Sequence, residues 1–154
     1  MPGRVPLWKP LIKYLNSAGS ITFYPHGGTA MCAVEEVASA AVAALERGRH
    51  GAEYGICTEN LTWDAWLGSL LGYLGKNKRI LHVPNWMVSV GGWFVDTFLH
   101  LKGKQAGLSM ARFAKFQCSN TFLDGEATRQ ELRFPRGDLQ PAFRDAVQAS
   151  LKDL

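Results

Sequence analysis

Apolar positions recur at three- and four-residue spacing over residues 34–47, alternate over 21–24 and 79–83, and crowd the stretch 86–101. That mixture of periods predicts short strands set among helices. A helix over 6–18, ended by Gly19, carries Leu7, Leu11, Tyr14 and Leu15 on one side. Strand 21–24 follows, then a turn at Pro25-His26-Gly27-Gly28 and an extended piece over 30–33. An Ala-rich helix over 34–47 has Glu35 and Glu36 at its N-terminal end and Arg47 near its C-terminal end, each matching the helix dipole. Gly48 is the expected left-handed residue that stops it.

The run from Ala44 to Trp63 is the densest in signals. It combines a helix end, a tight reversal, a strand over 52–57 and a second helix capped by Thr62. This is the grammar of a parallel α/β unit. The second helix runs to residue 74, and its Gly68, Gly72 and Gly75 are spaced to admit a neighbouring helix. Strand 79–83 is stopped by Pro84, and Asn85 caps a long apolar helix to about residue 101. A polar loop over 102–107, a helix over 108–116 and a strand over 119–123 come next. Asp124 and Asp138 cap the last two helices, with Pro141 tolerated in the first turn of the second.

A length of 154 residues supports one core, so a single domain over 1–154 is expected. With 47% hydrophobic and 19% charged residues, the composition excludes a disordered tail. Residues 1–75 hold five Lys/Arg and six Asp/Glu, whereas 76–154 hold twelve and seven. The basic excess is scattered, for which a solvated surface is the plain reading and a nucleic-acid or anionic-membrane face the alternative. Three dispersed cysteines without a CxxC pair suit a reducing, cytoplasmic compartment. No apolar signal-peptide core follows Met1-Pro2-Gly3-Arg4. The stretch 86–101 is broken by Ser89, Gly91, Gly92, Asp96 and His100, and falls short of the ~20 residues of a membrane span.

The chemistry of a nucleotide enzyme is missing from these residues. No GxGxxG lies between a strand and a helix, and no GxxxxGK[ST] loop occurs. Four residues after Tyr14, Tyr24, Tyr54 and Tyr73 stand Ala18, Gly28, Thr58 and Asn77, so no Tyr-x-x-x-Lys pair exists. His26, His50, His82 and His100 have no ligand-like spacing to one another or to cysteine, and no metal residue is assigned. No catalytic residue is assigned either. A cysteine-based enzyme remains as a third reading and requires a fast-reacting thiol at Cys32, Cys57 or Cys118.

Several runs nevertheless resemble a family. Val34-Glu35-Glu36-Val37-Ala38, Ala44-Leu45-Glu46-Arg47-Gly48-Arg49, Gly51-Ala52-Glu53-Tyr54 and Glu59-Asn60-Leu61-Thr62-Trp63 are similar to the second half of extended short-chain dehydrogenase/reductases. The nearest branch is the NAD-dependent epimerase/dehydratase and dihydroflavonol-reductase-like proteins. Asp124-x-x-Ala127, Glu131-Leu132-x-Phe134, Leu139 and Phe143-x-Asp145-Ala146-Val147 look like their closing segment. Each run is loose alone, and their order over residues 20–150 carries the resemblance. Ala33 departs from it, standing where relatives carry a polar residue, often Asp or His.

The resemblance implies an α/β chain (α+β when isolated), the C-terminal part of a Rossmann-type fold with short strands and about six helices. In the family the Gly-rich loop and the catalytic Ser and Tyr-x-x-x-Lys lie in the first half, ahead of everything matched here. This chain would then be the substrate-binding portion, holding no cofactor alone, with NAD or NADP in the parent enzyme. Its partners would be a small-molecule substrate and the missing N-terminal nucleotide-binding half, with no nucleic acid.

By position in that family, Pro2 and Gly3 would face the cofactor, and Arg4 and Trp8 the substrate; a frayed terminus is the plainer reading. Tyr24 and His26 flank a turn that closes over substrate in relatives. Trp86, Val90, Trp93 and Phe94 form a stripe at helical spacing, for which core packing is the plain expectation and a wall for a bulky apolar substrate the alternative. An alternative for the whole chain is a stand-alone binding module. It would use the 86–101 helix and the basic second half to hold an apolar anion, a membrane surface or a protein partner.

Overall fold

Pro10 falls in the first turn of helix α1 (Lys9–Asn16), where its missing N–H leaves no bond unmade. The computed structural model describes residues 8–101 and 110–152. Pro2, Gly3, Arg4 and the expected polar loop over 102–107 lie outside those residues. Strands β1 (Ile21–Pro25) and β2 (Gly28–Met31) are joined through His26 and Gly27. Gly27 takes φ +143°, and a Cβ there would meet the Gln117 carbonyl oxygen at 2.6 Å. Conformation and space both require glycine.

Helix α2 (Val34–Arg47) forms where its periodicity places it. Its stop differs from expectation. Gly48 is extended, at φ −68° and ψ 146°, and the left-handed residue is Gly51 at φ 74°. The strand expected over 52–57 is also absent as a strand. Tyr54 and Ile56 rest instead on a helix-built cluster of Ala40, Ala43, Leu132 and Phe134. Their alternation is satisfied by burial against α2 and the chain end of a later helix, with no ladder partner alongside.

Pairing resumes at β3 (Glu59–Thr62), which runs antiparallel to β2. The unit read as parallel from Ala44 to Trp63 therefore folds back on β2. Helix α3 (Trp63–Tyr73) is capped as expected, Thr62 Oγ1 accepting the Ala65 N–H at 3.3 Å. No atom lies within 4 Å of a Cβ built at Gly68 or Gly72, so no neighbouring helix approaches there.

Strand β4 (Arg79–Val83) pairs in parallel with β1, with Ile21 opposite Arg79. Helices α4 (Asn85–Leu101) and α5 (Met110–Gln117) follow, then β5 (Asn120–Thr121), parallel to β2. Helices α6 (Glu126–Leu132) and α7 (Gln140–Lys152) close the chain. Asp124 and Asp138 accept the N–H groups of Glu126 and Gln140, each at 2.9 Å. The result is a mixed α/β chain with seven helices among the described residues and two small sheets, ordered β1-β4 and β3-β2-β5.

The main core lies between α1, α3 and α7, where Ile12, Leu15, Leu67, Leu70, Phe143 and Val147 are almost fully buried. Truncating one such aliphatic side chain to alanine costs about 2–5 kcal/mol. Lys78 departs from the solvated reading of the basic residues, whereas Arg136 is exposed. Lys78 is buried and donates to the Ser17 carbonyl at 2.8 Å, while Arg136 donates to the Thr58 carbonyl at 2.7 Å.

Helix α4 corrects another expectation. Trp86, Val90, Trp93 and Phe94 are 67%, 45%, 59% and 62% exposed, so core packing within this chain is not their role. The helix packs chiefly on α5, and these four side chains stay exposed. Among the described residues, no helix is long and apolar enough to cross a membrane.

Candidate functional site

Trp63 and Trp66 are three residues apart on α3, which puts both indoles on one helix face, 5.6 Å between ring centroids. Trp8 leads into α1 and meets Trp66 edge-on at 5.2 Å and Phe143 of α7 at 6.0 Å. Tyr24 of β1 meets Trp63 edge-on at 5.9 Å. With Thr29, Met31, Cys32, Gln117, Leu139 and Ala142 these rings line a half-open pocket of about 350 Å³. It sits between the two sheets, where β1 ends and β2 begins.

Polar groups in the cavity wall are few and defined. Trp63 Nε1 donates to the Gln117 carbonyl oxygen at 2.7 Å. Trp66 Nε1 and Gln117 Oε1 are buried without a hydrogen-bond partner. Leaving such groups unmade costs about 1–3 kcal/mol each. Burial pushes the Tyr24 phenol above its ordinary value, so it is the neutral hydroxyl that stands at this wall near neutral pH.

Of the residues singled out in the sequence, Trp8 and Tyr24 meet here. His26 does not line the cavity. Its ring stacks on His82, with centroids 3.6 Å apart and planes at 19°, and His82 Nε2 lies 3.4 Å from Asp64 Oδ2. Trp86, Val90, Trp93 and Phe94 lie on α4, outside the lining. Sequence reasoning passed over Trp63, Trp66, Gln117 and Phe143. The Trp63-x-x-Trp66 spacing was a readable signal, but Phe143 and Gln117 arrive from distant elements.

A second polar cluster is part of the scaffold. Glu36 Oε1 accepts from Arg129 Nη2 at 2.7 Å, and Glu36 Oε2 accepts from the Gly137 N–H at 2.9 Å and from the Thr58 hydroxyl. Arg129 Nη2 also donates to the Cys57 carbonyl at 2.7 Å. These bonds hold the 52–58 segment against α2 and α6. Burial pushes the Cys57 and Cys118 thiols up, which disfavours the nucleophilic thiolate. Among the described residues, no three His, Cys, Asp or Glu side chains are grouped to hold a metal ion.

The glycine turn is closely packed. A Cβ on Gly28 would meet the Leu61 carbonyl oxygen at 2.6 Å and the Phe122 ring at 2.7 Å.

No family model and no curated protein matches the chain. Its fold is similar to that in the crystal structure of gox2253, with a TM-score of 0.65 at 16% sequence identity. The superposed region covers 97% of this chain and 44% of that one, so this chain spans less than half of its neighbour's length. At this identity the likeness is one of fold, and the fold is mixed α/β.

Proposed function

We propose that the chain is the substrate-binding portion of an NAD(P)-dependent oxidoreductase, epimerase or dehydratase of the extended short-chain dehydrogenase/reductase kind, and that its cavity receives a carbonyl or hydroxyl substrate. The observation that carries this reading is the aromatic-walled pocket of about 350 Å³ lined by Trp8, Trp63, Trp66 and Phe143. Its size suits a small organic molecule. The rings would cover the apolar body of that substrate. The ordered family-like runs and the fold shared with part of a longer chain support the same reading.

The dinucleotide would supply hydride transfer, and it would be held by a nucleotide-binding half that these residues do not include. This portion shapes the pocket and selects the substrate. A flat ketone such as 2-acetylnaphthalene tests it, titrated against tryptophan fluorescence of the full chain. Saturable quenching is expected, and Ala142→Trp, which fills the cavity from its exposed wall, should abolish it. Calorimetry with NADPH should show no isotherm. Saturable NADPH binding to this chain alone, or ketone quenching unchanged by Ala142→Trp, would overturn the assignment.

A further inference from the structure

Helix α2 turns apolar residues to two sides, and the chain covers only one of them. Ala40 and Ala43 are buried against Leu132 and Phe134. On the other side Val34, Val37, Ala38, Ala41, Val42 and Leu45 are all exposed, Val34 by 75% and Leu45 by 89%. Their spacing of i, i+3, i+4, i+7, i+8 and i+11 makes one unbroken stripe along the helix.

The charges beside the stripe indicate its occupant. Glu35, at the N-terminal end of α2, is exposed, and its carboxylate makes no hydrogen bond or ion pair among the described residues. Toward the other end, Ala38, Val42, Arg47, Arg133 and Phe134 line an open groove of about 390 Å³. Glu35 precedes Ala38 by three residues and Val42 by seven, so it stands on the groove's side of the helix. Arg47 is already engaged by Glu46 and the Leu132 carbonyl. Arg133 is exposed, and its guanidinium has no partner among the described residues. An unpaired anion and an unpaired cation thus bracket one apolar stripe.

A second α2 laid antiparallel on the first satisfies both charges and covers the stripe. Ala41 is six residues from Glu35 and from Arg47, and four from Val37 and from Leu45. A two-fold axis at Ala41 would set alanine on alanine, where small side chains let helices approach to about 8 Å. Val37 would pack on the partner's Leu45, and Glu35 would enter the partner's groove to meet the partner's Arg133. Symmetry makes each of these contacts twice. A surface of a single charge sign, lipid or nucleic acid, would match only one of the two charges.

We infer that this face of α2 is a self-association surface, on which two copies of the chain pair antiparallel about Ala41. The inference is independent of the substrate reading, because the stripe and the aromatic pocket share no residue.

Sedimentation velocity of the full chain, up to about 100 μM, tests it. A monomer–dimer equilibrium is expected. Ala41→Glu with Leu45→Glu should weaken it about a hundredfold while leaving circular dichroism unchanged, since both side chains are exposed. Glu35→Arg and Arg133→Glu should each weaken it about tenfold, because each sets like charges together twice. Mixed one to one, those two variants should associate as tightly as the parent, since each offers the charge that the other lacks. A parent chain that stays monomeric at about 100 μM would overturn the inference, as would a dimer indifferent to the double glutamate change. Failure of the mixed charge variants to associate would overturn it too. Pelleting of a monomeric chain with phospholipid vesicles, lost on the double glutamate change, would assign the face to a membrane, and the inference would fall.

Discussion

Glu36 and Arg129 form an ion pair across 93 residues of chain, with Nη2 2.7 Å from Oε1 and the carboxylate sealed from solvent. The pair fastens α2 to α6, and Thr58 and Gly137 complete the shell around the same carboxylate. The loop that replaced an expected strand is held here by side chains, where a ladder would have used backbone.

Removing one partner leaves the other charge buried. Glu36→Leu should destabilise the fold by about 3–5 kcal/mol in urea denaturation. Glu36→Leu with Arg129→Met should recover most of that loss, because both desolvated charges are then gone. Equal instability of the single and double variants would show that the carboxylate matters for shape and not for charge.

Acid should reveal the same residue. Burial pushes the Glu36 carboxyl up, but hydrogen bonds from Thr58, Arg129 and Gly137 and the charge of Arg129 outweigh this and leave it below its ordinary 4.5. A carboxyl depressed in the native state stabilises the fold above its unfolded value, and that contribution is lost as pH falls through the native value. The urea midpoint should hold from neutral pH to about 4.5 and decline below it. Glu36→Gln should decline less steeply over the same window.

Tyr24 should titrate late. Burial raises its phenol above 10.0, so the neutral form is bound into the fold. Its contribution is complete below the unfolded value and is lost as pH rises through the raised native one. Difference absorbance at 295 nm between the parent and Tyr24→Phe should isolate one phenol ionising above pH 10. A difference curve centred at or below 10 would contradict the burial seen in the cavity wall.

Glycine substitutions should split by site. Gly28→Ala drives a Cβ to 2.6 Å from the Leu61 carbonyl oxygen and 2.7 Å from the Phe122 ring, and should cost about 1–3 kcal/mol. Gly68→Ala meets nothing within 4 Å inside α3, and should stabilise by about 0.5–1 kcal/mol. Thermal melts of both variants read the sign directly.

The Cys57 thiol should be slow. It is 6% exposed and its ionisation is pushed up by burial. Iodoacetamide labelling at neutral pH followed by peptide mass mapping should mark Cys57 only after denaturant is added. Rapid native labelling would revive the cysteine-enzyme reading.

Much of the fold was legible because helices announce themselves locally. The α2 bounds, the Thr62 cap and the Asp124 and Asp138 turns all follow from residues within one turn of each other. The β4 bounds also matched, since Pro84 ends it and its run is short. Residues 52–57 misled for a physical reason. Alternation records which side chains are buried, and here Tyr54 and Ile56 are covered by helices, whereas a strand needs a backbone partner. Of the candidate site, Trp8 and Tyr24 were legible. Gln117 and Phe143 were not, because their place at the cavity depends on where α5 and α7 come to rest.

By itself, then, the sequence determined where the helices lie, the Thr62 cap and the apolar stripe of α4, because i to i−4 hydrogen bonds and side-chain periodicity act within a few residues. Only the tertiary structure decided that β3 opposes β2, that Arg129 reaches Glu36, and that the α4 stripe is left outside the core. Those outcomes turn on contacts between residues far apart in the chain, whose free energy no local window contains.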